Sequence, residues 1–152
     1  MLRWTIRILL GLVVLFVLAQ AIPYGRNHKN PPVTAEPKWD SPRTRQLAKQ
    51  ACFDCHSNET TWPWYTNVAP FSWLAYSDVK GGRSSLNFSE WNKPQDTSVG
   101  DIVDAVGGGS MPPWFYTPLH PKASLSAAQK AQLEAGFRRT LAASPPIAGG
   151  GG

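Results

Sequence analysis

The chain is short of the residues that build metal and redox sites. In 152 residues it has two cysteines, three histidines and two methionines. Met1 is the initiator, which leaves Met111 as the one internal methionine. No acid occurs before Glu36. The 15 bases are scattered and not gathered into a stripe with interleaved aromatics, so a nucleic-acid footprint is absent. There are no internal repeats, which excludes a solenoid. No alternating strand pattern surrounds the cysteines, which argues against a thioredoxin-like context. Proline (14), glycine (13) and tryptophan (7) are plentiful. They suggest a loop-rich domain with short helices and a large apolar surface that needs walls.

The first segment reads as a targeting signal. Arg3 and Arg7 form a positive start, and ILLGLVVLFVLA (Ile8 to Ala19) is uninterrupted apolar sequence. Counted to Ile22 the run is short against the ~20 residues that a spanning helix prefers. Trp4, Thr5 and Ile6 can lengthen it, with Arg7 snorkelling to the headgroups. Ala19-Gln20-Ala21 also has the small-x-small form of a cleavage site, so residues 1–22 are a signal anchor or a signal peptide. Either way the basic residues keep the N-terminus in the cytoplasm and send the rest of the chain outside.

Residues 23–38 are polar and proline-rich and read as an extended tether. Residues 39–144 form the folded domain, and 145–152 a flexible tail. Ser41-Pro42 opens a helix, because Ser caps and Pro fits the first helical position. Leu47, Ala48, Ala51, Cys52 and Cys55 then share a face. A second short helix spans Ser72 to Lys80 and stops at Gly81-Gly82. Val99, Ile102, Val103 and Val106 give a helix over 98–106, ended by Gly107. GGGSMPPWFYTPLHP (Gly107 to Pro121) is a loop. Ser126 to Gln129 is a capping box opening a last helix with Leu133, Phe137 and Leu141 on one face. The fold class is therefore all-α, a small domain of short helices and long loops behind an N-terminal hydrophobic helix. Loops this long in a compact domain call for a reason, such as a large bound cofactor.

Both cysteines lie in ACFDCHSNE, with His56 directly after the second. CxxCH is the attachment signature of c-type haem. Two intervening residues put the sulfurs about one helical turn apart, which suits the two vinyl groups on one side of a porphyrin. The next residue then presents an imidazole to the iron from the same side. Cys52 and Cys55 are thus the candidate covalent anchors and His56 the candidate iron ligand. The export signal agrees, because covalent haem attachment takes place outside the cytoplasm, on a cytochrome c maturation system. Two rivals remain: a redox or plain disulfide, and a zinc site completed by His28 or His120.

Met and His are the usual sixth ligands of electron-transfer haems. Met111, held between glycines and Pro112-Pro113, is the distal candidate, and His120 is the alternative. His28 falls in the tether. Trp62, Trp64, Tyr65, Phe71, Trp73, Trp114, Phe115 and Tyr116 are candidate walls, and Arg83 and Asn87 candidate partners for propionates.

Five stretches together carry a resemblance: ACFDCHSNET (51–60), WPWY (62–65), APFSWL (69–74), LNFSEW (86–91), and SMPPW with LHPKASLS (110–114, 119–126). Over about 120 residues the chain resembles the small bacterial haem-binding domain proteins of cytochrome c type, anchored at the N-terminus. The resemblance implies one covalent haem c and attachment to the membrane through an uncleaved N-terminal helix. The function expected is one-electron transfer to a redox partner protein at the outer face of the cytoplasmic membrane, by a haem-binding module that is not an enzyme. A haem peroxidase, a redox or gas sensor with a labile Met111, and a zinc- or disulfide-stabilised structural domain are the alternatives.

Overall fold

The computed structural model describes residues 1–149. Among them are six α-helices and two very short strands, so the fold is mainly α. The helices are α1 (Leu2–Gln20), α2 (Pro42–Ala51), α3 (Phe53–His56), α4 (Phe71–Ser85), α5 (Val99–Gly107) and α6 (Ala127–Ala143). Pro94–Gln95 (β1) pairs in parallel with Ile147–Ala148 (β2).

The chain divides into two compact units. One comprises Met1–Lys29 and Trp62–Asp78. The other comprises Asn30–Thr61 and everything from Val79 on. The division differs from the one expected at residues 22 and 38, because the supposed tether is shared out between the units. Asn30 to Lys38 is fixed within the larger unit. The amides of Thr34 and Ala35 donate to the Ser89 carbonyl at 2.9 and 3.2 Å, and the Trp91 amide donates to Ala35 at 3.0 Å. Within the expected tail, Ile147 and Ala148 are held by β1, while Gly150 to Gly152 lie outside the described residues.

In the smaller unit α1 is apolar, with mean hydropathy 2.1 and no buried residue. It begins at Leu2 and so includes Trp4 to Arg7. Its 19 residues span about 28 Å at 1.5 Å per residue, close to the ~30 Å hydrocarbon thickness of a bilayer. By length and composition it can cross a membrane.

In the larger unit the local signals set the helix starts. The Thr44 amide donates to Ser41 Oγ at 3.1 Å with Pro42 in the first turn of α2. Capping boxes Ser98/Asp101 and Ser126/Gln129 open α5 and α6. α6 packs on α5 and α2 and buries Leu133, Phe137 and Leu141. These meet Leu47 and Ala48 of α2, Phe53 of α3, and Ile102, Val103 and Val106 of α5. Phe88 lies at the centre of the ring contacts. It stacks on Phe137 (5.8 Å, 8°), Trp91 (5.8 Å, 9°) and Phe53 (5.6 Å, 20°), with Trp39 tilted at 5.5 Å. Each such pair adds about 0.5–1.5 kcal/mol beyond its area burial. The turn 86–91, with no periodicity of its own, thus supplies the hub of the core.

Candidate functional site

The cysteine motif occupies a break between helices. α2 ends at Ala51, Cys52 leaves helical geometry (φ −125°, ψ −34°), and α3 makes a single turn from Phe53 to His56. The Cys52 carbonyl accepts the amides of Cys55 (3.2 Å) and His56 (2.9 Å). One continuous helix was expected to carry both cysteines. The break instead lets Phe53 turn into the core while Cys52 and His56 face a cavity.

That cavity measures about 210 Å³ and is mainly apolar. Ala51, Cys52 and His56 form one side, Leu86 and Phe88 another, and Ile102, Ala105 and Val106 of α5 a third, with Phe137 behind. Met111 lines it too. Ser85, Thr97 and Asp101 supply its few polar groups. Three of the four sequence-derived site residues therefore line one cavity, and Cys55 belongs to the same turn.

His56 is held by the end of α4. Its Nδ1 lies 3.1 Å from the Gly82 carbonyl and 3.2 Å from the Leu86 carbonyl. Carbonyl oxygens only accept, so Nδ1 carries the proton and Nε2 keeps its lone pair. Burial lowers the His56 pKa, against the two backbone hydrogen bonds that raise it, and so favours the neutral ring. A neutral imidazole with its second nitrogen fixed by backbone oxygens is the form that ligates a metal.

Gly82 is what allows this approach. α4 was expected to stop at Gly81-Gly82 but runs on to Ser85. A Cβ at position 82 would run into the Cys55 carbonyl, whereas one at position 81 would meet nothing within 4 Å. Gly82 is therefore there for contact with the cysteine turn and not as a stop signal. The sequence offered no signal to separate the two roles.

Cys52 and Cys55 are not joined by a disulfide. Burial, with a smaller contribution from Cys55, pushes the Cys52 thiol up to about 12. A redox-active CxxC needs the opposite shift, toward thiolate. Nor does a zinc set assemble. Among the described residues no three His, Cys, Asp or Glu side chains come together as a metal-holding group. His120 stacks on Tyr116 (3.7 Å, 7°) and its Nδ1 donates to the Tyr116 carbonyl at 3.0 Å. It does not line the cavity, which separates it from Met111. His28, the other residue that could have completed a zinc site, stacks on Trp62 at 4.4 Å and its Nε2 donates to the Thr66 carbonyl at 3.2 Å.

Met111 is placed by α5. Its amide donates to the Ala105 carbonyl at 3.0 Å, and the Gly109 amide to Val106 at 3.2 Å. Farther along the loop, the Tyr116 hydroxyl donates to Asp54 Oδ2 at 2.5 Å, tying the loop to the cysteine turn. Asp54 Oδ1 accepts the Thr61 amide at 2.8 Å. Tyr116 is thus a strut and not a wall.

Of the other expected walls, Trp114 and Phe115 of the larger unit do not line the cavity. Trp64 and Trp114 are 79% and 84% exposed, and Phe71 and Phe115 are also at the surface. The aromatic lining comes from Phe88 and Phe137. Arg83 and Asn87 serve the loops. Arg83 donates to the Ser57 carbonyl (2.7 Å), Asn30 (2.8 Å) and Thr60 (2.8 Å), and buried Asn87 donates to Asn58 at 2.9 Å.

The residues present fit a haem by the chemistry of their donors. They offer two thiols, a neutral imidazole and a thioether on one turn and one loop around an apolar cavity. A family model described as a haem-binding domain matches residues 14–139. No curated protein and no solved structure matches the chain.

Proposed function

The chain belongs to the haem-binding domain family, and from that membership we propose that it is a c-type, one-electron carrier. The observation that carries the reading is the His56 tautomer, fixed by Gly82 and Leu86 beside an apolar cavity that Cys52 and Met111 also line. When bound, the haem supplies a one-electron iron couple. Cys52 and Cys55 would hold it covalently through their sulfurs. His56 would offer Nε2 and Met111 its thioether sulfur to the iron. With both donors engaged no place would remain for a substrate, which suits a carrier and not an enzyme. A thioether ligand raises the reduction potential, which suits delivery to an oxidising partner protein.

The α1 helix is the membrane anchor in this reading, with the basic N-terminus in the cytoplasm and the haem domain at the outer face. There a cytochrome c maturation system supplies the haem. The exposure of Met111, 36%, favours a second reading in which this ligand leaves readily and the protein is a peroxidase or sensor. The test is the spectrum of the Met111→Ala protein. The carrier reading expects loss of the low-spin, six-coordinate spectrum and a fall in potential. A spectrum unchanged by the substitution would remove Met111 from the iron and favour the second reading.

A further inference from the structure

The smaller unit stitches the end of α1 to a Trp- and Phe-bearing surface. Gln20, the last residue of α1, grips the backbone of Ala69 from both sides. Its Nε2 donates to the Ala69 carbonyl at 3.1 Å, and the Ala69 amide donates to its Oε1 at 3.0 Å. Arg26 donates to the Gln20 carbonyl at 2.6 Å. Gly25 has φ +77° and lies so close to the Ser72 carbonyl that no Cβ fits there. Tyr24 meets Tyr76 edge-on at 5.3 Å, and His28 is stacked on Trp62. Residues 20–28 are thus laid along 62–76 and are not a free spacer.

The same unit leaves large apolar side chains in solvent. Trp64 is 79% exposed, Leu74 60% and Phe71 50%. Phe71 and Leu74 are one helical turn apart and so share a face of α4. Trp64, Tyr65 and Phe71 are linked by edge contacts of 6.1 and 6.2 Å. Ala69, the residue that Gln20 grips, lies two positions before Phe71. Because α1 is about as long as the bilayer core is thick, Gln20 falls near the headgroups. Tryptophan at that depth is an interfacial anchor. The charge agrees: Asp78 is the unit's one acid, while Arg26 and Lys29 follow the helix.

From the Gln20–Ala69 clamp and the exposed Trp64, Phe71 and Leu74 beside it, we infer that this surface is seated in the outer leaflet that α1 leaves. The occupant of the patch is the lipid interface of the same membrane. The inference rests on α1 being retained as an anchor, as proposed above.

The test uses the full, haem-loaded chain in phosphatidylcholine/phosphatidylglycerol bilayers. The variants Trp64→Cys and Leu74→Cys each carry a fluorophore on the new thiol. Fluorescence is compared between ordinary and brominated lipids, so that quenching by haem cancels. Insertion to ~5–10 Å predicts about a twofold loss at both positions. Trp64 and Leu74 are surface residues, and the visible spectrum of each variant checks its fold. Intact mass shows whether residues 1–21 are present. If they are retained and neither position loses fluorescence in brominated lipid, the lipid contact is overturned while the anchor stands. If they have been removed, the anchor and this inference fall together.

Discussion

Gly82→Ala puts a methyl group where the Cys55 carbonyl now lies. Two effects of opposite sign follow. Alanine in place of glycine within a helix gains about 1 kcal/mol of propensity. Forcing an extra methyl into a closed contact costs about 1–3 kcal/mol. The neighbour here is backbone, which cannot swing aside as a side-chain tip would, so the cost wins by up to about 2 kcal/mol. The displacement also pulls the Gly82 carbonyl away from His56 Nδ1, 3.1 Å distant. Gly81→Ala is the internal control. It gains the propensity and meets nothing, so it stabilises by about 0.4–1 kcal/mol. Urea unfolding followed by far-UV circular dichroism measures the difference, and the haem spectrum of each variant reports the state of His56. The expected order of stability is Gly81→Ala, then wild type, then Gly82→Ala, with a changed spectrum only in the last. If Gly82→Ala is as stable as Gly81→Ala and spectrally unchanged, the close approach of α4 to the cysteine turn is wrong.

Three further outcomes are expected. Tyr116→Phe removes a hydrogen bond to a carboxylate worth about 1.5–3 kcal/mol, so the Met111 loop should open more often and, with Met111 on the iron as proposed, added imidazole should displace it about tenfold more readily; binding equal to wild type would deny the strut. Arg45, first, and Trp39 hold the Glu36 carboxyl below its ordinary value, against burial that raises it. That stability is present above pH 4.5 and is lost as the pH falls through the lowered value, so Glu36→Gln should flatten this part of the acid-unfolding curve by under about 1 kcal/mol, the pair being partly exposed. Phe137→Ala opens the core stack next to the cavity and should cost about 3–5 kcal/mol in thermal or urea unfolding; a loss under 1 kcal/mol would contradict its place in the core.

Local signals carried well from sequence to structure. Although the Ser98/Asp101 box that opens α5 emerged only in the structure, Ser41-Pro42 and Ser126/Gln129 each mark a helix start, because a cap is made by residues three apart. The apolar faces of α5 and α6 were legible for the same reason. The candidate site residues Cys52, His56 and Met111 were singled out by type and spacing, and all three line one cavity. What stayed hidden depends on contacts distant in the chain. Gly82 looks like a stop until the Cys55 carbonyl is beside it. Phe88 sits in a segment without periodicity and yet centres the core. The Trp-rich stretches suggest walls, but Trp64 and Trp114 point to solvent. Arg83 and Asn87 have the chemistry to meet a propionate, yet they are engaged by Ser57, Asn30, Thr60 and Asn58. Residues 23–38 read as a spacer because proline-rich composition says nothing of the backbone partners, such as Ser89, that fix it.

The central claim is that one haem is held covalently through Cys52 and Cys55. It is tested most directly by expressing the full chain beside a cytochrome c maturation system and staining a denaturing gel for haem peroxidase activity. The account predicts a stained band at the 16.7 kDa chain, and none for the Cys52→Ser, Cys55→Ser double variant. An unstained wild-type band, in a lane where a control cytochrome stains, would contradict it.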